Sequence, residues 1–353
     1  MSSMRSASPQ VILQMLGTPE SSGGPHSRPT SCGLDFWHCT EGVFWAARFL
    51  GARPAEVILS HGEGQARFPV LLRRLPGGLC FASVFPYGAA DGEAALIGEP
   101  GLRKPLLQAL RRHRAVTLEY PFVDACADAR FQAAAERMRA VHTPPRMIRH
   151  VLDYDAAFAG HDAIQRVFDS RIRWSIRKAE REGCAIRVAG PSDLNTVQSL
   201  YERTMREKGA PVNYGSERFA PLLGCFRAHG QGEVYVAERN RVGIGMAAVI
   251  HAAQVTHLLQ LAVPKGYRGT RAGDLLVSHA IEASIGCGRR YFDFMATPAG
   301  DEGLLAYKAK WGAHPQVIRE LIVHTMPLLW RGVDAGRWLN RRMGAWRGSR
   351  PEA

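Results

Sequence analysis

The chain has 353 residues, 46% of them hydrophobic and 22% charged, with a formal net charge of +13 at pH 7. Such a length and composition describe a globular protein of two ordinary domains and exclude a disordered or fibrous chain. The basic excess is almost all arginine, which reads either as a general bias plus a site for an anionic substrate or as the mark of a polyanion partner.

Residues 1–30 are rich in Ser, Pro and Gly and are expected to form a disordered tail. The apolar run Val11–Leu16 is too short for a signal-peptide core. No run reaches the ~18–20 residues of a membrane span. Asp35–Leu50 reads as a helix around Phe44, Trp45 and Phe49. Strands are predicted at Glu56–Ser60, Arg67–Leu75 and Leu79–Val84, with Pro76, Gly77 and Gly78 turning the last hairpin. A basic helix at Arg103–Arg114, a strand at Ala115–Tyr120 and a helix near Asp128–Val141 complete a first half of mixed type.

The second half opens on a strand, Met147–Leu152, and a helix, His161–Glu182, stopped by Gly183. A strand at Cys184–Val188, a helix from Pro191 to Glu207 and a helix at Glu217–Ala228 come next. The strands Glu233–Glu238, Ile244–His251 and Val255–Val263 have connections short enough for an antiparallel meander. A loop at Pro264–Gly269, a helix at Arg271–Gly286 and strands at Tyr291–Phe294 and Gln316–His324 follow. Pro327–Arg347 is a basic helix carrying Trp330, Trp338 and Trp346. The fold class is α+β. The domain boundaries are expected at 31–150, 151–325 and 326–353.

The seven cysteines, Cys32, Cys39, Cys80, Cys126, Cys184, Cys225 and Cys287, are scattered. Their spacing forms neither a zinc site nor a disulfide framework, and it suits a reducing compartment. There is no G-x-S-x-G, Walker A or H-E-x-x-H motif. His251 and His257 fall on the meander, where a core or hydrogen-bonding role is the ordinary reading.

Three stretches carry candidate chemistry. The first is Val263–Leu276, where Gly266, Gly269 and Gly273 coincide with Lys265, Arg268 and Arg271 at a helix N-terminus. Backbone N–H groups and the helix dipole make such a junction an anion site. The second holds Asp293 at a strand end and Tyr307, Lys308, Lys310 and Trp311 at a helix end. There Asp293 suits an amine-orienting or basic role, and Lys308 suits stabilisation of an oxyanion. The third is the helix end at Arg173–Gly183, whose Arg173, Arg177 and Arg181 form one basic stripe, ordinarily a solvated face and alternatively a phosphate contact.

Together, RxxxRKAEREG at Arg173–Gly183, GCGRRYFDF at Gly286–Phe294 and GLLAYKAKWGA at Gly303–Ala313 resemble the Fem-type branch of the GNAT superfamily and its BioF2-like acetyltransferase relatives. The resemblance runs from about Arg166 to Val323. The strand Arg67–Leu75 and the turn Ser83–Gly88 suit the diverged first domain of such proteins. It implies tandem GNAT-like domains, each a mixed, largely antiparallel sheet flanked by helices. It also implies acyl transfer to an amine, with Lys308 at the lysine of the family's F-K-x-x-F/W-G-like motif and Asp293 at its strand-end acid. The loop around Arg268 and Gly269 stands at the superfamily's pyrophosphate loop, but the R-x-x-G-x-G/A spacing is broken, with Arg271 where a glycine is expected. The helical coiled-coil arm of some peptidoglycan-bridge enzymes is absent.

The expected activity is therefore N-acyl transfer in the cytoplasm, or at the inner face of the membrane. The co-substrate is acyl-CoA, and no cofactor or metal is permanently bound. Lys308 and Asp293 are the catalytic candidates. Lys265, Gly266, Arg268, Gly269, Arg271 and Gly273 would hold the donor, and Arg173, Arg177, Tyr307, Lys310 and Trp311 the substrate. The partners are an acyl donor and an amine acceptor, not DNA. Two alternatives stand beside this: an aminoacyl-tRNA-dependent transferase, supported by the net charge, and a silent GNAT-fold binding protein docked on a membrane by its last helix. The ordinary fate of that helix is to pack Leu328, Leu329 and Leu339 on the second domain.

Overall fold

A computed structural model describes residues 10–16, 40–61, 64–84, 101–123, 136, 138–139, 141–142, 147–154, 168–252 and 254–332. The chain begins β1 (Gln10–Met15), α1 (Thr40–Phe49), β2 (Ala52–His61), β3 (Gly64–Arg74) and β4 (Cys80–Ser83). It continues with α2 (Arg103–Arg112), β5 (Ala115–Val123), β6 (Val141–His142) and β7 (Met147–Asp153). Then come α3 (Ser170–Arg181), β8 (Ala185–Val188), α4 (Leu194–Glu207), α5 (Ser216–Leu223) and α6 (Cys225–Ala228). Strands β9 (Gly232–Arg239), β10 (Val242–His251) and β11 (Val255–Ala262) lead into α7 (Ala272–Gly286), β12 (Tyr291–Pro298), α8 (Glu302–Ala309) and β13 (His314–His324).

The chain divides into two compact units. The first takes the described residues within Met1–Gly17, Gly51–Pro144 and Arg319–Ala353. Strands β1 to β4 pair antiparallel in order, and β4 then pairs parallel with β5 after the crossover helix α2. That helix buries Leu106, Leu107, Ala109 and Leu110, a helical-period stripe that closes the core against Val57, Phe68 and Leu118. The turn between β3 and β4 works because Gly77 and Gly78 both take positive φ, which glycine adopts without a Cβ clash.

The second unit takes the described residues within Thr18–Leu50 and Pro145–Ile318. Its sheet order is β7-β12-β11-β10-β9-β8, with His314–Ile318 of β13 antiparallel to β7. Every neighbouring pair is antiparallel except β11 and β12. The β9–β10 hairpin turns on Asn240 and Arg241, both at positive φ. Helices α3 and α7 cover this sheet with Ile172, Ile176, Leu276, Val277 and Ile281, packed against Phe292 and Trp311.

Several sequence expectations need correction. Gln10–Met15, expected in the disordered tail, form an edge strand because Val11, Leu13 and Met15 alternate toward the core while Gln10 and Ile12 face out. The α1 helix, assigned by sequence to the first domain, belongs to the second unit: Trp45 packs edge-on to Phe226 and donates from Nε1 to the Arg218 carbonyl. The expected helix Glu217–Ala228 breaks into α5 and α6 at Gly224. Leu328 and Leu329 do not pack inward; they are 82% and 49% exposed. The remaining expectations for 1–9, 17–39, 124–135, the turn at 85–88, the start of the helix at 161–167 and the helix beyond 332, including Leu339, lie outside the described residues.

Gly232 marks a close approach in the second unit, since a Cβ there would meet the Val249 carbonyl oxygen at 2.8 Å and a Leu222 methyl at 2.7 Å. Gly232→Ala is expected to cost about 1–3 kcal/mol in thermal or denaturant unfolding. Gly286→Ala, which opens onto nothing within 4 Å, should cost nothing. Equal effects of the two would contradict the packing described.

Candidate active site

The site grows from an interruption in the sheet. Strands β11 and β12 pair only at Val255↔Tyr291, Thr256↔Phe292 and His257↔Asp293. Beyond Asp293 the register of β12 against β7 shifts before Ala296, and Met295 takes φ 59°. A bulge of this kind leaves backbone groups without ladder partners, and buried carbonyls need other donors.

Lys308 supplies them. Its Nζ donates to the Phe294 carbonyl at 2.6 Å and to the Met295 carbonyl at 2.7 Å, and the residue is only 5% exposed. Burial lowers its pKa to about 8, against the opposing attraction of Asp293 and Asp301. An ammonium has three hydrogens, so one remains after these two bonds. The α8 helix that delivers Lys308 begins where Asp301 caps it, accepting from the Leu304 N–H.

Asp293 sits at the last paired position and is wholly buried. One carboxylate oxygen accepts the Met295 N–H at 2.8 Å. The other lies 2.9 Å from His257 Nδ1 and 3.1 Å from Arg149 Nε. Burial pushes this carboxyl up, but Arg149 and the hydrogen bonds from His257 and Met295 outweigh it and hold the pKa below the usual carboxylate value. Asp293 is thus an ionised anchor that fixes the bulge. Both carboxylate oxygens are thereby engaged by groups of the protein.

The glycine-rich junction is also built. Glu207, at the end of α4, accepts from the Lys265 N–H and from Arg203 Nε, and the Arg203 guanidinium lies over the Tyr267 ring. Residues Lys265–Thr270 form a 3-10 turn, and Thr270 Oγ1 accepts the Ala272 N–H to open α7. Arg271 takes φ 64° and ψ 20°, a left-handed conformation that favours glycine. The broken motif is therefore a change of residue with the glycine-type backbone retained, at a cost on the order of 1 kcal/mol. Lys265, Arg268 and Arg271 are exposed around this turn. A Cβ at Gly269 would meet open space, one at Gly266 would lie 3.7 Å from Arg203, and one at Gly273 would touch Val263.

Other sequence candidates divide between site and support. Tyr307 on α8 and Ser175 on α3 lie near the Asp274 carboxyl in the first turn of α7, close enough to influence its charge. Burial raises the Asp274 carboxyl, and burial together with Asp274 holds the Tyr307 hydroxyl well above its ordinary pKa. Trp311 is wholly buried against Phe168, Phe294 and Tyr307, a core position. Arg173 donates from Nη1 to the Phe168 carbonyl at 2.6 Å, which makes it a support for its own helix. Arg177 is exposed on α3 and Lys310 is half-buried beyond α8, on the electrostatic edge of Asp274. Sequence reading passed over Arg149, Asp274 and Ser175. Asp274 alone left a signal, an acid in the first turn after a glycine loop. His257 and His251 are buried and hydrogen-bonded, to Asp293 and Thr256.

Asp293→Asn is expected to destabilise the protein by about 3–5 kcal/mol at neutral pH, because Arg149 is left facing a neutral group in a buried setting. A folded pKa below the unfolded one gives stability that is complete above the unfolded value of about 3.9 and fades as pH falls through the folded value. The gap between wild type and variant in unfolding should therefore close under acid. A gap that stays constant down to the acid transition would contradict the ionised anchor.

The family model described as an acetyltransferase (GNAT) domain matches residues 166–309. Among solved structures, FemX aligns with TM-score 0.69 at 11% identity, covering 85% of this chain and 94% of that one. A tandem GNAT protein from the clavulanic acid biosynthesis pathway aligns with TM-score 0.54 at 15% identity, covering 90% and 99%. L-PGS from Bacillus licheniformis aligns with TM-score 0.51 at 12% identity, covering 75% and 85%. No curated protein matches the chain. Residues 166–309 thus match the GNAT acetyltransferase domain model, and the chain shares its fold with FemX and with a tandem GNAT protein.

Proposed function

We propose that this protein transfers an acyl group from an acyl-CoA-type thioester to an amine on a cell-envelope or polysaccharide precursor or a small metabolite. The carrying observation is the pre-shaped basic turn at Lys265–Arg271, which opens α7 immediately after the strand that parts from β12. Donor phosphates would rest on the helix N-terminus and the three exposed cations. The amine nitrogen attacks the thioester carbonyl, the C–N bond forms, and collapse breaks the C–S bond. The thiolate then takes up the proton that the amine releases.

Charge develops on the carbonyl oxygen during the attack, and an aimed donor in a water-poor site stabilises it. The third ammonium hydrogen of Lys308 is that donor, with the first two held by Phe294 and Met295. Asp293 acts through the bulge that it anchors and so is a positioning residue. A second reading, transfer from aminoacyl-tRNA, draws support from the FemX-like fold over 85% of the chain and from the charge of +13. Binding that weakens steeply with salt would mark it.

Release of free thiol from acetyl-CoA in the presence of amine acceptors tests the first reading. Lys308→Met should cut turnover by about 100- to 1,000-fold with donor affinity little changed. Wild-type turnover should fall as pH rises through about 8, where the ammonium is lost. The loss of a donor to two carbonyls will also lower the melting temperature, so the pH profile of the intact protein is the independent readout. With an acceptor amine whose own pKa lies well below 8, so that the nucleophile is already deprotonated, a rate that climbs through that range would contradict the ammonium role.

A further inference from the structure

On the outer side of α3, Trp174 is 51% exposed, opposite the buried Ile172, Ser175, Ile176 and Ala179. A lone exposed tryptophan is unremarked in most proteins, but this one is bracketed. Lys178 Nζ lies 5.6 Å from its ring centroid and the Arg271 guanidinium 5.9 Å. Both are within reach of a cation–π contact. Lys178 shares its charge with Glu182 at 3.5 Å, whereas Arg271 makes no ion pair within 4 Å among the described residues.

The bracket is held in place by the helix next to it. Ser175, the buried residue after Trp174, lies near the Asp274 carboxyl in the first turn of α7, three residues after Arg271. Thus the aromatic face stands beside the left-handed turn whose other cations are Lys265 and Arg268. Its chemistry is a π surface with net positive charge, continuous with a helix N-terminus. A ligand matched to it has a flat aromatic part joined to phosphate.

Resting on the acyl-transfer reading above, we propose that Trp174 is a stacking platform for the adenosine end of the donor, with Arg271 and Lys178 facing its phosphates. Adenosine joined to phosphate ends both acyl-CoA and the acceptor strand of a charged tRNA. Base–aromatic stacking depends on the π face and tolerates either setting. The side chain is 51% exposed and is not among the buried residues of the core.

The test compares wild type, Trp174→Ala and Trp174→Phe by calorimetric titration, with melting curves to confirm equal folding. The probes are acetyl-CoA, acetyl-phosphopantetheine, an aminoacylated RNA hairpin ending in an unpaired adenosine, and phosphatidylglycerol vesicles. Trp174→Ala should weaken whichever adenosine-bearing donor binds by about 10-fold, and Trp174→Phe should keep most of the affinity. Acetyl-phosphopantetheine, which lacks the adenosine, should bind all three proteins equally. Response of acetyl-CoA or of the hairpin tells which source supplies the adenosine. Unchanged donor affinity in Trp174→Ala, equal loss for acetyl-phosphopantetheine, or a loss confined to vesicles overturns the platform. Wild-type binding of acetyl-phosphopantetheine without an adenosine preference removes the platform and spares the transfer reading. Absence of binding to every donor removes both.

Discussion

A sheet that stops pairing partway along two strands must place the backbone groups it releases, and in the second unit that demand falls on β12 just past Asp293. The Phe294 and Met295 carbonyls fall where the register of β12 against β7 shifts, and an unpaired buried carbonyl costs about 1–3 kcal/mol. Lys308 answers both from the neighbouring helix. Its burial would be unfavourable alone, yet it lies near Asp293, whose own charge is matched by Arg149 and which His257 hydrogen-bonds. The arrangement is a chain of charges from one strand through the bulge to a helix. Each member is tolerated because the next is present. The same stretch is where β12 stops pairing with β11, beyond His257 and Asp293.

The basic turn follows from a second constraint, the entry into α7. Thr270 and Arg271 shape it, Glu207 and Arg203 brace it, and Asp274 in its first turn lies near Tyr307 and Ser175 on two other helices. A substitution at the left-handed position would ordinarily argue against an anion loop. Here the arginine keeps the backbone shape and adds a charge, which the Trp174 ring shares. Part of the net charge of +13 is thereby accounted for by one local surface.

Much of the second unit was legible in the sequence because its signals are local. The Asn240–Arg241 connection, the stop at Gly183 and the strand–turn–helix rhythm around Pro264 each depend on a few neighbouring residues, and each appears where expected. What escaped was long-range. Nothing near Arg149 in sequence shows that it will meet Asp293, 144 positions later, nor does anything near Trp45 point to the Arg218 carbonyl. Trp311 looked like a substrate wall because it adjoins lysines, but burial is a property of the whole packing, and three aromatic neighbours enclose it. Lys308 stood out in the sequence by its residue type among aromatics, and the structure buries it. The two carbonyls that hold it could not be foreseen without the bulge. Gln10–Met15 misled through the Ser- and Gly-rich residues around it, although its own alternation was plain.

The most direct measurement is calorimetric titration of nuclease-treated protein with acetyl-CoA and a series of longer acyl-CoAs. The account predicts saturable binding in the micromolar range to at least one, with chain length ordering the affinities. Failure to bind any of them, with the protein folded, would contradict the thioester donor and leave charged tRNA as the donor to be tested.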